Sequence, residues 1–133
     1  MVNETLQRLS SVQRINHFPA MSVISRKNTL ALTLARMKEQ FPLDYDFFPR
    51  TFLLPNDAPK LHHYFAEARR RGLAKTFIVK PEAGCQGRGI YLSQNPADLE
   101  KEERCVVQKY VANPLLYRGL KFDLRIYVLL ACV

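Results

Sequence analysis

The sequence has few cysteines and no long run of apolar residues, and each of these shortages excludes a class of protein. The three cysteines, Cys85, Cys105 and Cys132, are odd in number and widely spaced. They match neither a disulfide framework nor a zinc site, which indicates a reducing compartment. Residues 1–9 have no apolar stretch typical of a secretory signal, and the apolar run Ile126–Val133 is too short to span a bilayer. We therefore expect a cytoplasmic protein with no membrane partner.

Acidic residues are also scarce, with 12 Asp and Glu against 20 Lys and Arg, a formal net charge of +8. Such a charge raises the possibility of nucleic-acid binding. The chain does not alternate aromatic and basic residues as single-strand binders do, so we expect no nucleic-acid partner. The one concentrated basic run, Arg69–Arg71, precedes Gly72 at the end of a predicted helix. A plain helix terminus is the favoured interpretation, and attraction to an acidic protein tail is the functional alternative.

The composition is that of one globular domain or part of one, with 133 residues, 47% hydrophobic and 24% charged. Residues 1–14 have no clear period and are predicted to be an irregular segment, so the domain is assigned to residues 15–133. The predicted helices span residues 25–40, 57–71 and 95–103, and strands are predicted at residues 51–54 and 105–111. This mixture predicts an α+β fold.

Two apolar runs flank a glycine-rich turn in Phe77–Leu92. The first run ends in Lys80, and the turn contains Gly84, Gly87 and Gly89. Glycines let backbone N–H groups approach an anion closely, and a lysine at the end of a strand adds a charge that suits phosphate. The spacing differs from a Walker loop and from a dinucleotide fingerprint, both of which open a helix. The segment is interpreted as a hairpin flap over a nucleotide, with an ordinary tight hairpin as the alternative.

A polar stripe follows a further predicted strand that begins at Lys121. Because side chains alternate along a strand, Lys121, Asp123 and Arg125 share one face. Two cations separated by an anion suit phosphate and ribose, whereas a solvated face with compensating charges is the alternative. From Ile126 onward both faces are apolar, as in a strand covered on both sides. This pattern favours a cleft over an outer surface.

Three blocks of the sequence resemble, in this order, the tubulin–tyrosine ligase-like family. They are Lys-Pro-Glu-Ala-Gly-Cys-Gln-Gly-Arg-Gly-Ile at 80–90, Val-Gln-Lys-Tyr-Val at 107–111 and Lys-Phe-Asp-Leu-Arg-Ile-Tyr-Val-Leu at 121–129. The Gly-Cys-Gln-Gly loop and the Arg-Ile-Tyr sequence are most similar to the polyglutamylase branch. Residues 15–22 and 47–55 fit that branch as well. The resemblance implies a partial ATP-grasp fold, in which an antiparallel sheet has a glycine-rich flap hairpin and flanking helices.

The resemblance also implies roles for individual residues. The implied nucleotide-binding residues are Lys27, Lys80, Gln86, Gly87, Gln108, Lys109, Tyr110, Val111, Lys121, Phe122 and Asp123. Among them, Lys80 contacts the ATP phosphates, and Lys27 is a further candidate for the γ-phosphate. The hinge Gln108–Val111 reads adenine, largely through backbone groups. Gln86 lies in the flap and also meets the acceptor glutamate of the protein substrate, while Arg125 is the catalytic candidate at the transferring phosphoryl group.

The implied reaction joins free glutamate to glutamate side chains of tubulin tails through an isopeptide bond. ATP first phosphorylates the acceptor carboxylate, and the amine of free glutamate then attacks the acyl phosphate. Charge develops on oxygens in both steps, so cationic stabilisation and positioning matter most. The expected partners are microtubules and free glutamate, and the expected location is the cytoskeleton, with the cilium or basal body as a more specific site.

The expected cofactors are ATP and Mg²⁺, but the magnesium ligands of the family lie downstream of the Lys-Phe-Asp-Leu-Arg strand. The chain ends at Val133 before them, and no acidic residue of this sequence is assigned as a metal ligand. We therefore expect a truncated form in which transfer is slow or absent without the metal. The alternative is a catalytically inactive fragment that binds nucleotide or microtubules.

Overall fold

The computed structural model describes residues 4, 7–15, 18, 21–73, 76–82, 86–99 and 104–130. The predicted features at Gly84, Cys85 and Cys132 lie outside the described residues. Within these ranges, no helix has the length and apolar character needed to cross a membrane. The elements are, in chain order, α1 Ser22–Ser25, α2 Lys27–Gln40, β1 Thr51–Leu54, α3 Ala58–Arg70, β2 Phe77–Pro81, β3 Tyr91–Ser93, α4 Pro96–Leu99, β4 Cys105–Lys109, β5 Leu116–Tyr117 and β6 Leu120–Lys121.

The main sheet has four strands in the order β1-β4-β2-β3, and every pair in it is antiparallel. Strand β4 is central because β1 and β2 flank it, while β2 and β3 form the predicted flap hairpin. The predicted α+β class with an antiparallel sheet is confirmed. A separate two-stranded hairpin pairs β5 with β6.

One face of the sheet forms the hydrophobic core with α3. The register places Phe52, Phe77 and Val107 on this face, and all three are buried. Leu61 of α3 is 1% exposed and packs against them. Such a cluster accounts for most of the stability of a small domain, since burial of each large apolar side chain contributes about 1.5–3 kcal/mol.

Helix α2 contacts β1 and β4 from the opposite side of the sheet. Val106 alternates with Val107 and lies outside the core cluster, yet it is only 4% exposed. Ile78 and Leu92 occupy the same face on the flap strands, where Ile78 is half-buried and Leu92 is exposed. This face is therefore covered over β1 and β4 and open over the flap hairpin.

Three sequence-based boundaries differ from the structure. Strand β4 ends at Lys109 rather than at residue 111. The strand predicted from Lys121 is not found in residues 122–130, because β6 pairs with β5 and no described strand lies beside these residues. The apolar residues there are exposed rather than covered on both sides. The first predicted helix is split, because Arg26 has an extended backbone with φ −94° and ψ 135° between α1 and α2. Of the helix predicted at 95–103, the structure describes Pro96–Leu99, and residues 100–103 lie outside the described residues.

Candidate functional site

A chain of hydrogen bonds runs along the sheet face opposite the core, through the side chains of Lys80, Gln108 and Thr51. The Lys80 ammonium donates to Gln108 Oε1 at 2.8 Å, and Gln108 Nε2 donates to Thr51 Oγ1 at 2.9 Å. The Thr51 hydroxyl in turn donates to the Pro49 carbonyl at 2.8 Å. Thr51 and Gln108 are directly paired across β1 and β4. The chain therefore fixes which way the Gln108 amide points and presents its oxygen to Lys80.

The first residues of α2 meet the end of β2 beside this chain. Lys27 Nζ donates to the Pro81 carbonyl at 3.4 Å, and the Asn28 amide donates to the Glu82 carboxylate. These contacts join residues 54 positions apart in the sequence. They place Lys27 near Lys80.

The electrostatics of the site suit an anion. Burial lowers the pKa of Lys80, and the nearby charge of Lys27 lowers it further. The hydrogen-bond partner of Lys80 is a neutral amide, and within the described ranges no carboxylate forms an ion pair with it. An anion placed between the two ammonium groups would offset both unfavourable effects. Within the described ranges, Lys80 therefore carries a positive charge that no carboxylate pairs with.

The flap turn above this face requires a left-handed backbone. Gln86, Gly87 and Gly89 have φ of 53°, 78° and 71°. A side chain at Gly89 would meet Pro81 Cγ at 3.3 Å, while the space beside Gly87 is open. The Ile90 N–H donates to the Gly87 carbonyl at 3.3 Å and closes the turn. Gly89 is thus needed both for its backbone conformation and for its close approach to β2.

Two backbone N–H groups of the hinge segment, residues 108–111, already donate hydrogen bonds within the fold. The Lys109 N–H donates to the Arg50 carbonyl and the Tyr110 N–H to the Thr76 carbonyl, both at 2.8 Å. A base that reads this backbone would have to take its donor from Val111 instead. The Lys121 ammonium lies 5.8 Å from the centre of the Tyr110 ring, a cation–π contact. The structure thus brings Lys121 to the hinge.

The structure does not join the remaining predicted residues to this cluster. Phe122 packs edge-on against Tyr117, with ring centroids 6.5 Å apart. Asp123 and Arg125 are exposed, and no contact of the described residues connects them with Lys80. Strand β6 ends at Lys121, so Asp123 and Arg125 lie beyond it, and the shared face of Lys121, Asp123 and Arg125 stays a prediction.

Sequence reasoning missed Thr51 and Asn28. Alternation along the strand Thr51–Leu54 places Thr51 opposite the core-facing residues. It does not indicate that Gln108 is the partner of Thr51, because this pairing depends on the register of β1 and β4. Asn28 follows Lys27 in the sequence, but nothing local indicates its contact with Glu82.

Among the residues that the structure describes, no group of three or more His, Cys, Asp or Glu side chains lies close enough to hold an ion. The Mg²⁺ that the resemblance implied stays an expectation.

Comparison with known proteins gives a consistent result along the chain. A sequence model described as "Tubulin-tyrosine ligase family" matches residues 4–133. The chain is 50% identical over 128 residues to "Probable beta-tubulin polyglutamylase" of Tetrahymena thermophila, covering 96% of this chain and 10% of that protein. It is 43% identical over 127 residues to "Tubulin polyglutamylase TTLL13" of Homo sapiens, covering 96% of this chain and 15% of that protein.

A mouse relative agrees with these two. "Tubulin polyglutamylase TTLL6" of Mus musculus is 44% identical over 126 residues, covering 95% of this chain and 15% of that protein. The chain therefore spans 10% to 15% of the lengths of these three relatives.

Proposed function

Since this chain belongs to the tubulin-tyrosine ligase family, we propose that it is the nucleotide-holding part of an ATP-dependent ligase. The proposed reaction joins free glutamate to glutamate side chains of tubulin tails. The relatives named as tubulin polyglutamylases support this choice within the family. The chain spans only a small part of those proteins, so the activity is proposed for the whole to which such a region contributes.

The observation that carries the proposal is the pair of lysines on the open sheet face. Lys80 is half-buried, has a neutral partner and lies near a second ammonium group. A purely structural lysine gains from a carboxylate partner, whereas this one has an amide. Triphosphate oxygens would supply the missing negative charge, and charge-assisted hydrogen bonds are about twice as strong as neutral ones.

The other residues are assigned from their places around this pair. Gln86 and Gly87 in the flap would cover the phosphates, and Gln86 would also meet the acceptor glutamate. The adenine would lie against the hinge, where we assign the donor to the Val111 N–H. Lys121 would reach the ribose from its position above Tyr110. Arg125 is proposed to act on the transferring phosphoryl group once residues 122–130 lie over the site, with Phe122 and Asp123 beside it.

The proposed chemistry has two balanced steps. In the first, a carboxylate oxygen of the acceptor glutamate attacks the γ-phosphorus, the bond to the bridging oxygen breaks and ADP leaves. In the second, the amine nitrogen of free glutamate attacks the acyl carbon and loses a proton, and inorganic phosphate leaves. Lys80 and Lys27 would stabilise the negative charge on the phosphoryl oxygens in the first step.

A divalent cation is expected with ATP in such a reaction, but we assign it no ligand in this chain. The described residues offer no suitable cluster, so no step is derived through the metal. Attraction to microtubules follows from the positive charge of the chain and the acidic character of tubulin tails. We propose association with the cytoskeleton on this basis, with the cilium or basal body as a more specific location.

A second candidate function is nucleotide binding without ligation. The exposure of Arg125, away from the lysine pair, favours it. Both candidates share the nucleotide site, so a binding measurement tests what they have in common and an incorporation assay separates them.

The experiment is an ATP titration of the full chain by calorimetry. We expect saturable binding that weakens about tenfold to a hundredfold in Lys80→Ala, because one charge-assisted hydrogen bond contributes about 1.5–3 kcal/mol. Lys60→Ala is the matched control, since Lys60 is an exposed lysine on α3 that pairs with Asp57 at 2.8 Å. Equal affinities of the two variants would contradict the site.

Incorporation of radiolabelled glutamate into tubulin then separates the candidates. Incorporation that depends on Lys80 supports the ligase, whereas ATP binding without incorporation supports the binding module. No saturable ATP binding would contradict both.

A further inference from the structure

A groove lies between the C-terminal half of α3 and the segment that links β3 to α4. We call it the basic groove and define it by Phe65, Arg69, Arg70, Leu73 and Pro96, which line it. Its volume is about 760 Å³, within the range of pockets that hold small ligands or peptide side chains. Because α3 covers the core face of the sheet, the groove lies on the side of the sheet away from Lys80.

The end of α3 gives the groove a fixed shape. Gly72, with φ 64°, follows the helix, and its N–H donates to the Arg69 carbonyl at 3.0 Å. The Leu73 N–H donates to the Ala68 carbonyl at 2.9 Å. These two bonds form a Schellman motif, which closes a helix and fixes the residue that follows. Leu73 is therefore held beside the arginines, although it remains 49% exposed.

The charges at this end of the helix are not all balanced. The Arg71 guanidinium pairs with the Glu67 carboxylate. Arg69 and Arg70 are exposed, and neither has an acidic partner within the described part of the chain. Favourable interaction with the helix dipole explains basic residues in a last turn. It does not explain why two unpaired arginines flank an apolar groove that leucine, phenylalanine and proline line.

We propose that the basic groove is a docking site for an acidic peptide that contains one large apolar side chain. Carboxylates of the peptide would pair with Arg69 and Arg70, and the apolar side chain would pack against Phe65, Leu73 and Pro96. A concave, partly apolar surface flanked by two exposed guanidinium groups matches this partner in both charge and shape. A nucleic-acid strand would need a longer basic track with stacking aromatics.

This proposal goes beyond the nucleotide site and does not depend on it. The two sites lie on opposite faces of the sheet and share no residue. An acidic peptide segment bound in the basic groove would be held on the opposite side of the sheet from the nucleotide site. A different part of the same peptide would then have to reach the nucleotide site to react. Each site can therefore be inactivated while the other stays intact.

The test is fluorescence anisotropy with the full chain and a labelled glutamate-rich peptide that carries one phenylalanine. We expect saturable binding that weakens about tenfold when Arg69→Ala and Arg70→Ala are combined, as two partly exposed ion pairs are lost. Arg36→Ala removes one exposed arginine from α2 on the other face, so it is the charge-matched control for Arg69→Ala and Arg70→Ala made singly. It should change the affinity by less than about twofold, the effect of one unpaired surface charge.

Two further arms test the apolar part and the independence of the sites. A peptide with serine in place of phenylalanine should bind several-fold more weakly, and Leu73→Ser should remove this difference. Lys80→Ala should leave peptide binding unchanged, and the double arginine variant should leave ATP binding unchanged. No saturable binding of the peptide, or equal losses in the Arg36 and the groove variants, would overturn the proposal whatever the ATP titration gives.

Discussion

Lys80 interacts with an amide, whereas two other described lysines have carboxylate partners. Lys38 and Lys60 pair with the carboxylates of Asp46 and Asp57. The hydrogen bond between Asp57 and Lys60 raises the pKa of Lys60, whereas burial lowers that of Lys80. Within the described part of the chain, Lys80 is therefore a partly desolvated cation without a carboxylate partner.

The titration of Lys80 tests this difference. By NMR of isotope-labelled lysine side chains, we expect its midpoint to lie below that of Lys60. ATP, or the substitution Lys27→Gln, should raise the Lys80 midpoint, because each offsets or removes the repulsion. The relevant pH range lies between the lowered pKa of Lys80 in the folded chain and its ordinary pKa in the unfolded chain. In this range the unfolded chain binds a proton that the folded chain has lost, so the free energy of unfolding rises with pH. A Lys80 midpoint at or above that of Lys60 would contradict the account.

Thr51 is expected to act on the site through Gln108. Thr51→Val removes the hydroxyl that accepts from the Gln108 amide and donates to the Pro49 carbonyl. We expect a loss of about 1 kcal/mol in the free energy of unfolding and a several-fold loss of ATP affinity, because the amide is then free to turn its nitrogen towards Lys80. Urea unfolding and an ATP titration measure these two effects.

Thr51→Ser is the matched control, because it keeps the hydroxyl and should restore ATP affinity. A purely structural role would lower stability without changing the affinity of the folded protein. Unchanged affinity in Thr51→Val would therefore show that Thr51 does not position Gln108.

At the scale of elements, the flap hairpin combines a strained turn with a closely packed strand. Among its described turn residues, three have positive φ, and one of these is Gln86 rather than glycine. A left-handed conformation costs a non-glycine residue roughly 1 kcal/mol.

The two described flap glycines should differ when each is replaced by alanine. Gly87→Ala adds a side chain in open space and costs only the backbone strain, about 1 kcal/mol. Gly89→Ala adds the same strain and also a contact 3.3 Å from Pro81 Cγ, so it should lower stability further. Thermal unfolding of both variants measures this order. Equal or reversed losses would show that β2 and the turn are not packed as described.

Residues 122–130 should exchange their amide hydrogens quickly. They lack regular structure and are exposed, whereas Val107 in β4 is fully buried in the sheet. Hydrogen exchange read by mass spectrometry should show protection in residues 105–109 and little in 122–130. Slow exchange in the latter segment would show that it forms the strand that its alternating pattern predicts.

The elements could be predicted from the sequence wherever the local pattern and the packing agree. Strand β1 has the predicted bounds, and α3 follows its predicted start after Asp57 and its end before Gly72. In both elements the regularly spaced apolar residues lie on the face that packs into the core, as Phe52 in β1 and Leu61 in α3 do. The strand predicted from Lys121 failed because its apolar residues find no covering surface among the described elements.

At the scale of the whole molecule, one sheet separates two surfaces with different chemistry. Helix α3 covers the core face and contributes the basic groove, and α2 covers half of the other face beside Lys80. The sequence predicted Lys80 and the flap because strand, turn and charge are local features. It could not predict the contact of Lys80 with Gln108 or that of Lys27 with Pro81, since these contacts join residues 28 and 54 positions apart.

The most direct test of the central claim uses an ATP analogue that carries a lysine-reactive acyl phosphate at its end. The analogue acylates lysines that lie near its phosphates, and peptide mass spectrometry of the full chain locates the label. We expect labelling at Lys80 and Lys27 that excess ATP suppresses, with exposed Lys60 labelled weakly and without competition. Labelling spread over surface lysines and unaffected by ATP would contradict a nucleotide site beneath the flap.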